Sequence, residues 1–282
     1  MTSVPKLAVF DVDGTIADHG VVPQSVIEGM HNLHRNGCLT TVSTGRGYIR
    51  LREALGDAFD TVISPEAFII IEHGTKIVDR SGKIKFGEFF NDREIDHIID
   101  FTRANIGLFK MAWFNPENVK EKVKVWCAED KDVQSETEKR GHYADVFSSS
   151  IGELEDLLLT EKLTNVTLKL KDYVRVENLK LAFTRTDTNV IFQDGNMEFV
   201  KNNTNKGLAI EWMARRLKIH RDDLLVAGNA INDVEMLDID SKMTVLVGPE
   251  DIREVIKSYL SKLEELVEVD SPKELGYHLS SL

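Results

Sequence analysis

Two aspartates, Asp11 and Asp13, stand two residues apart in the hexapeptide FDVDGT, directly after the apolar run Lys6 to Phe10 (KLAVF). Carboxylates at that spacing at the end of a buried segment repel each other, a cost relieved by a cation or a shared proton. A magnesium ion meets that demand, because it is hard and prefers oxygen ligands. A plainer alternative is a polar loop end in which Gly14 takes a positive φ. Ser43, Thr44, Gly45 and Arg46 form a second polar cluster, where hydroxyls and free amides at a helix start can hold an anion, or merely cap the helix. Lys206 follows the polar run NNTN; a lone lysine there is ordinarily solvated. The fourth cluster is the oxygen-rich loop Gly228, Asn229, Ala230, Ile231, Asn232, Asp233, which is also compatible with a helix cap by Asn232.

All four clusters fall where a strand should end or a helix begin. KLAVF reads as a buried parallel strand that delivers its acids to the carboxyl end. A helix is predicted from about Pro23 to Asn36, with proline in the first turn, Val26, Ile27, Met30 and Leu33 at helical spacing, and Gly37 as a stop. CLTTVS is a second strand that runs into the helical stretch YIRLREAL. This strand and helix alternation is typical of an α/β, doubly wound, Rossmann-like parallel sheet, in which the crevice lies beyond the carboxyl ends of the strands. Thr61 to Ser64 and Phe68 to Ile71 read as further strands, and DRSGK as a hairpin turn. Between about Gly87 and Val200 the pattern changes: helical REIDHIIDFTRA, IGELEDLLL and VENLKLAF interleave with FKMAWF, KVKVWCA, NVTLKL and NVIFQ. The helix NKGLAIEWMARRL and the strands DDLLVAG and TVLVG then resume the first pattern. The expected organisation is a discontinuous core of residues 1–87 and 200–282, interrupted by an α+β module of residues 88–199.

The 282-residue chain is 42% hydrophobic and 29% charged, enough for a sizeable core and far from the composition of disorder. No run approaches the roughly 18 apolar residues of a membrane span, and the start MTSVPKLAVF lacks the order of a secretory signal, so a cytoplasmic location is expected. Cys38 and Cys127 lie far apart, without a CxxC pair or a histidine cluster, and read as buried reduced thiols. A net charge of −12 argues against nucleic acid and anionic membranes as partners. An anionic substrate would have to be drawn in by a local positive site.

Taken in order, the clusters supply an acid pair, a hydroxyl, a lysine and an acid loop. That order, with FDVDGT, STGR, NKG and GNAIND and an insertion between the second and third, resembles the haloacid dehalogenase-like superfamily, and within it the Cof-type subgroup with a mobile cap. The likeness extends to the closing VDSPKELGYHL. It implies that Asp11 attacks phosphorus to form an aspartyl phosphate, while Asp13 protonates the leaving oxygen and then activates water. It implies that Thr44, Gly45, Lys206 and Asn232 bind phosphate or substrate, with Arg46 either a substrate contact or a member of a surface salt bridge, and that Asp11, Asp13, Asn229 and Asp233 surround a Mg2+ ion. The implied partner is a small phosphorylated metabolite such as a sugar phosphate. Two positions depart from the family pattern: Asn229 stands where aspartate is usual, and His73 replaces the asparagine of an NGA turn. The rival readings are a sugar phosphomutase of the same fold and a catalytically silent phosphate-binding or regulatory protein. The segment FVKNNTNKG lacks the longer signature that mutases carry before the lysine, which favours hydrolysis.

Overall fold

The computed structural model describes residues 4–148, 150–172, 174, 179, 188–193, 195–261 and 266–282. In chain order the strands are β1 (Leu7–Phe10), β2 (Leu39–Val42), β3 (Phe68–Ile71), β4 (Lys76–Asp79), β5 (Ile84–Gly87), β6 (Phe109–Phe114) and β7 (Val123–Cys127). They continue with β8 (Ala144–Ser148), β9 (Asn165–Leu170), β10 (Thr188–Gln193), β11 (Asn196–Lys201), β12 (Leu224–Gly228), β13 (Met243–Val247) and β14 (Leu266–Val269). The α-helices are α1 (Gln24–Arg35), α2 (Tyr48–Leu55), α3 (Phe59–Val62), α4 (Asp92–Ala104) and α5 (Asp130–Arg140). They are followed by α6 (Ile151–Thr160), α7 (Lys206–Leu217), α8 (Val234–Leu237), α9 (Glu250–Lys257) and α10 (Pro272–Ser281). Two compact units result, one of Met1–Phe86 with Asn205–Leu282, the other of Gly87–Thr204. Strand β11 ends at Lys201, so the second unit runs a few residues beyond the junction expected at 199/200.

The first unit holds a five-stranded sheet in the order β14-β13-β12-β1-β2, parallel throughout. Its central strands β1 and β12 are short apolar runs buried on both faces, as the middle of a parallel sheet requires. Leu7, Val9, Leu224, Val226 and Leu246 share a core with Ala209, Ile210 and Met213 of α7. Ala8, Phe10, Leu225 and Ala227, which alternate with them, are buried as well. The chain moves from β1 outward to β2 on one side, then returns to β12 on the other. That reversal opens a crevice beyond the carboxyl ends of β1 and β12. Helices α1 and α10 approach so closely that a Cβ on Gly276 would lie 2.4 Å from the amide nitrogen of Val26. A small sheet β3-β4-β5 is joined to the end of β2 by the parallel bridge Ser43 to Ile70.

In the second unit the sheet order is β10-β11-β9-β6-β7-β8, antiparallel except for β7 with β8. Helices α4 and α6, each opened by a capping box (Asn91 with Glu94, Ser150 with Glu153), bury Ile95, Ile98, Leu154 and Leu158 against β6, β9 and β11. This is the α+β module, and the whole is an α/β fold with a parallel, Rossmann-like core. Among the described residues no helix is long and apolar enough to cross a membrane.

One expected strand is corrected. Thr61 to Ser64 does not form one: Phe59–Val62 is a short helix whose Phe59 and Val62, three apart, both turn inward. The DRSGK hairpin is present, with the Gly82 amide donating to the Asp79 carbonyl. The expected helix VENLKLAF lies outside the described residues apart from Leu179.

Candidate active site

Three chain segments bring their side chains to the mouth of the crevice. β1 ends at Phe10 and leaves Asp11 at its carboxyl end, its amide donating to the Ala227 carbonyl of the neighbouring β12. β12 ends at Gly228 and passes into a tight turn, Ile231–Asp233. Helix α7 is started by the Asn205 side chain, which accepts from the Leu208 amide at 2.8 Å and so sets Lys206 in the first turn. Burial of Ala209, Ile210 and Met213 fixes the helix against the sheet.

At the centre lies Lys206, buried to 2% exposure, its Nζ 2.6 Å from Asp11 Oδ1 and 2.6 Å from Asp233 Oδ1. Burial opposes the lysine's charge, but Asp11 and Asp233 outweigh it and raise the ammonium above its ordinary pKa. Asp11 goes the other way. Burial first, and the nearby Asp233 second, push its carboxyl up to about 6 despite the lysine. Asp233 Oδ2 accepts from the amides of Asn229 and Ala230 at 3.0 and 3.1 Å, so both oxygens of this buried acid are engaged. The Thr15 hydroxyl lies 3.4 Å from Asp11 Oδ2 and 3.1 Å from Asn229 Oδ1, which draws these two oxygens towards one point. Gly14, at φ +79°, passes so close to Asn229 that a Cβ would stand 2.1 Å from its amide nitrogen.

Asp13 is turned to the other side of the site. Arg46 grips it in a bidentate pair, Nε to Oδ2 and Nη2 to Oδ1, both at 2.7 Å. Burial works against ionisation of Asp13, yet hydrogen bonds from Arg46 and the charges of Arg46 and Arg50 bring its carboxyl below the usual range. The loop that carries Thr44 and Arg46 is held by the turn after β3. The Thr44 amide donates to the Ile70 carbonyl, the His73 amide to Thr44 and the Glu72 amide to Arg46. Glu72, His73 and Gly74 all have positive φ, the conformation that favours asparagine and glycine, yet histidine occupies the middle place. The His73 ring lies on Gly45, where an added Cβ would be 2.4 Å from Cε1 and Nε2. Asn232 sits in the same turn as Asp233.

Over residues 8–249 the sequence matches the family described as haloacid dehalogenase-like hydrolase. The chain belongs to the haloacid dehalogenase-like hydrolases. Among relatives, an HMP-PP phosphatase of Yersinia pseudotuberculosis is 24% identical over 249 residues, covering 82% of this chain and 80% of that one. A HAD/COF-like hydrolase from Plasmodium vivax superposes with a TM-score of 0.77 at 19% identity, covering 99% of this chain and 95% of that one. A HAD subclass IIB sugar phosphatase superposes with a TM-score of 0.72 at 17% identity, over 98% and 97% of the two chains. The two superpositions, over nearly the whole of each chain, show a shared fold.

The residues of this hydrolase suit a hard divalent cation. Asp11, Asp233 and Lys206 together leave one negative charge in a buried site, and Asp11 Oδ2 and Asn229 Oδ1 are oxygens drawn to one hydroxyl. Among the described residues no three His, Cys, Asp or Glu side chains gather as a metal site, in keeping with a neutral amide at position 229. The carboxylate of Asp13 is held by Arg46, and Asp233 braces the loop and the lysine.

Thr15 and the pair Glu72 and Lys76 escaped sequence reasoning. Thr15 was visible only as the last letter of DVDGT, with nothing to show that its hydroxyl bridges two loops. The buried pair Glu72 and Lys76, 3.2 Å apart beneath the His73 turn, was hidden because i,i+4 spacing signals a pair on a helix and Lys76 begins a strand.

Proposed function

We propose that this hydrolase is a magnesium-dependent phosphatase that cleaves a small phosphorylated metabolite through an aspartyl phosphate on Asp11. The observation that carries the reading is the buried lysine shared between Asp11 and Asp233 at the switch point of a parallel sheet, where a carboxylate can be steadied and a phosphoryl group received. In the first step Asp11 attacks phosphorus and the ester oxygen departs with a proton from Asp13. In the second, Asp13 takes a proton from water, the hydroxide attacks phosphorus, and inorganic phosphate leaves with Asp11 regenerated. Thr44 and the neighbouring amide of Gly45, with Lys206, receive the non-bridging oxygens, and Asn232 steadies the acid loop. Bound Mg2+, held by Asp11 and Asn229 under the charge of Asp233, would offset the repulsion between phosphate dianion and carboxylate.

Asp13 cannot donate a proton while Arg46 holds it as a carboxylate. An incoming phosphoryl group competes for the same guanidinium, which frees Asp13 as substrate arrives. Substrate choice is assigned to the residue 87–204 unit, inserted in the chain between Arg46 and Lys206, which we read as the cap module. The relatives' names, HMP-PP phosphatase and sugar phosphatase, favour a small phosphate ester or related metabolite. Buried free thiols at Cys38 and Cys127 accord with a cytoplasmic site of action.

The decisive experiment is hydrolysis of p-nitrophenyl phosphate by wild type and Asp11→Asn, with magnesium and with EDTA. Turnover is expected only for wild type with metal, with the variant down by at least about a thousandfold, some 4 kcal/mol of barrier. Activity of the variant within about tenfold of wild type would sink the covalent reading.

A further inference from the structure

The end of α7 remote from Lys206 carries a second cluster of cations. Arg215 and Arg216 are exposed and make no hydrogen bond or ion pair through their side chains with any other described residue. With Phe68, Lys85 and Trp212 they line a cleft of about 430 Å³ in the first unit. The half-buried Trp212 ring is braced by Phe68, centroids 5.9 Å apart at 62°, and by Phe86, 5.6 Å apart at 40°. Lys85 is paired with Asp79 at 2.9 Å, and that acid is further satisfied by the amides of Ser81 and Lys83 and the Ser81 hydroxyl. Glu211, one turn before Arg215, is taken by Arg221. Asp79 is thus taken by Lys85 and Glu211 by Arg221, and among the described residues Arg215 and Arg216 have no acidic partner, in a chain of net charge −12.

Planar guanidinium forks suit phosphate oxygens, and an indole held rigid at the wall of a cleft offers a face for a flat ring. The volume falls within the range that encloses a small ligand. We infer that this cleft binds a small anion of the nucleotide class, its ring on Trp212 and its phosphates on Arg215 and Arg216. Nine residues of helix, about 14 Å along the axis, separate Lys206 from Arg215, so the occupant is distinct from the substrate of the catalytic crevice.

The test uses the full chain carrying Asp11→Asn, so that the probe is not turned over, with ADP followed by calorimetry and tryptophan fluorescence. Saturable one-to-one binding with quenching is expected below about 1 mM, at least about tenfold tighter than for adenosine or inorganic phosphate alone. Adding Arg215→Ala and Arg216→Ala should weaken ADP by about tenfold or more, while the same pair in the otherwise native enzyme leaves p-nitrophenyl phosphate turnover within about twofold. Trp212→Leu should abolish the quenching. ADP binding undiminished in the double arginine variant, or no saturation at millimolar ADP, would each overturn the assignment.

Discussion

At position 229 an amide takes the place from which a carboxylate could face a cation, while its Oδ1 still accepts from Thr15. Asn229→Asp adds a charge without a change of shape, worth about 1 to 2 kcal/mol near a partly solvated cation, or about five- to thirtyfold in affinity. Magnesium titration of activity at fixed pH should therefore show a lower half-saturating concentration for Asn229→Asp and a higher one for Asp233→Asn. An unchanged value for Asn229→Asp would place this residue outside the metal's influence. The buried Asp11 gives a second test. Its pKa is raised to about 6 from 3.8, so the folded state holds the proton more tightly than the unfolded chain. The stability this confers is complete below about pH 4 and lost as pH climbs through about 6. Without metal, Asp11→Asn should thus be more stable than wild type by on the order of 1 to 3 kcal/mol at pH 7 and by much less at pH 4, measured by urea denaturation in EDTA.

Loops rather than regular elements hold the phosphate-side residues, and the two involved are zipped together by three backbone hydrogen bonds between residues 44–46 and 70–73. Gly45 and His73 meet at the centre of that contact. Gly45→Ala should push the ring away and cost about 1 to 3 kcal/mol, with a rise in KM for p-nitrophenyl phosphate. His73→Ser in the same chain should recover most of both losses; no recovery would show that the ring is not the obstacle. DVDGT and GNAIND were legible because an apolar strand stops abruptly at oxygen-bearing residues, a signal local in sequence. The contact between Gly45 and His73 was not, since it depends on three successive positive φ angles that no apolar period encodes. Thr61 to Ser64 misled because Phe59 to Val62 is a single turn, too short for helical spacing to show. Helix α5 was overlooked for the opposite reason: DKDVQSETEKR buries no residue, so it has no apolar stripe to find.

Across the whole molecule, the parallel sheet and its partners lie in one unit and the residue 87–204 segment has a core of its own. Replacing residues 87–204 by a short glycine-serine linker should leave a core that unfolds cooperatively and is soluble, seen by circular dichroism on heating. An insoluble or non-cooperative product would argue against the division. The sheet order β14-β13-β12-β1-β2 also bears on how the chain is made. Strands β1 and β2 leave the ribosome early, but β12, the other neighbour of β1, is translated only after the entire inserted segment. At about 5–20 residues per second, that interval lasts roughly ten to forty seconds. Throughout it the edge of β1 is unpaired, and the apolar residues of α1 lack α10, whose Gly276 lets the two helices touch. The nascent protein therefore presents a sticky half-sheet for most of its synthesis, while the inserted unit can already fold. A chaperone that shields exposed apolar strands should dwell on ribosomes carrying this message until α10 has been translated.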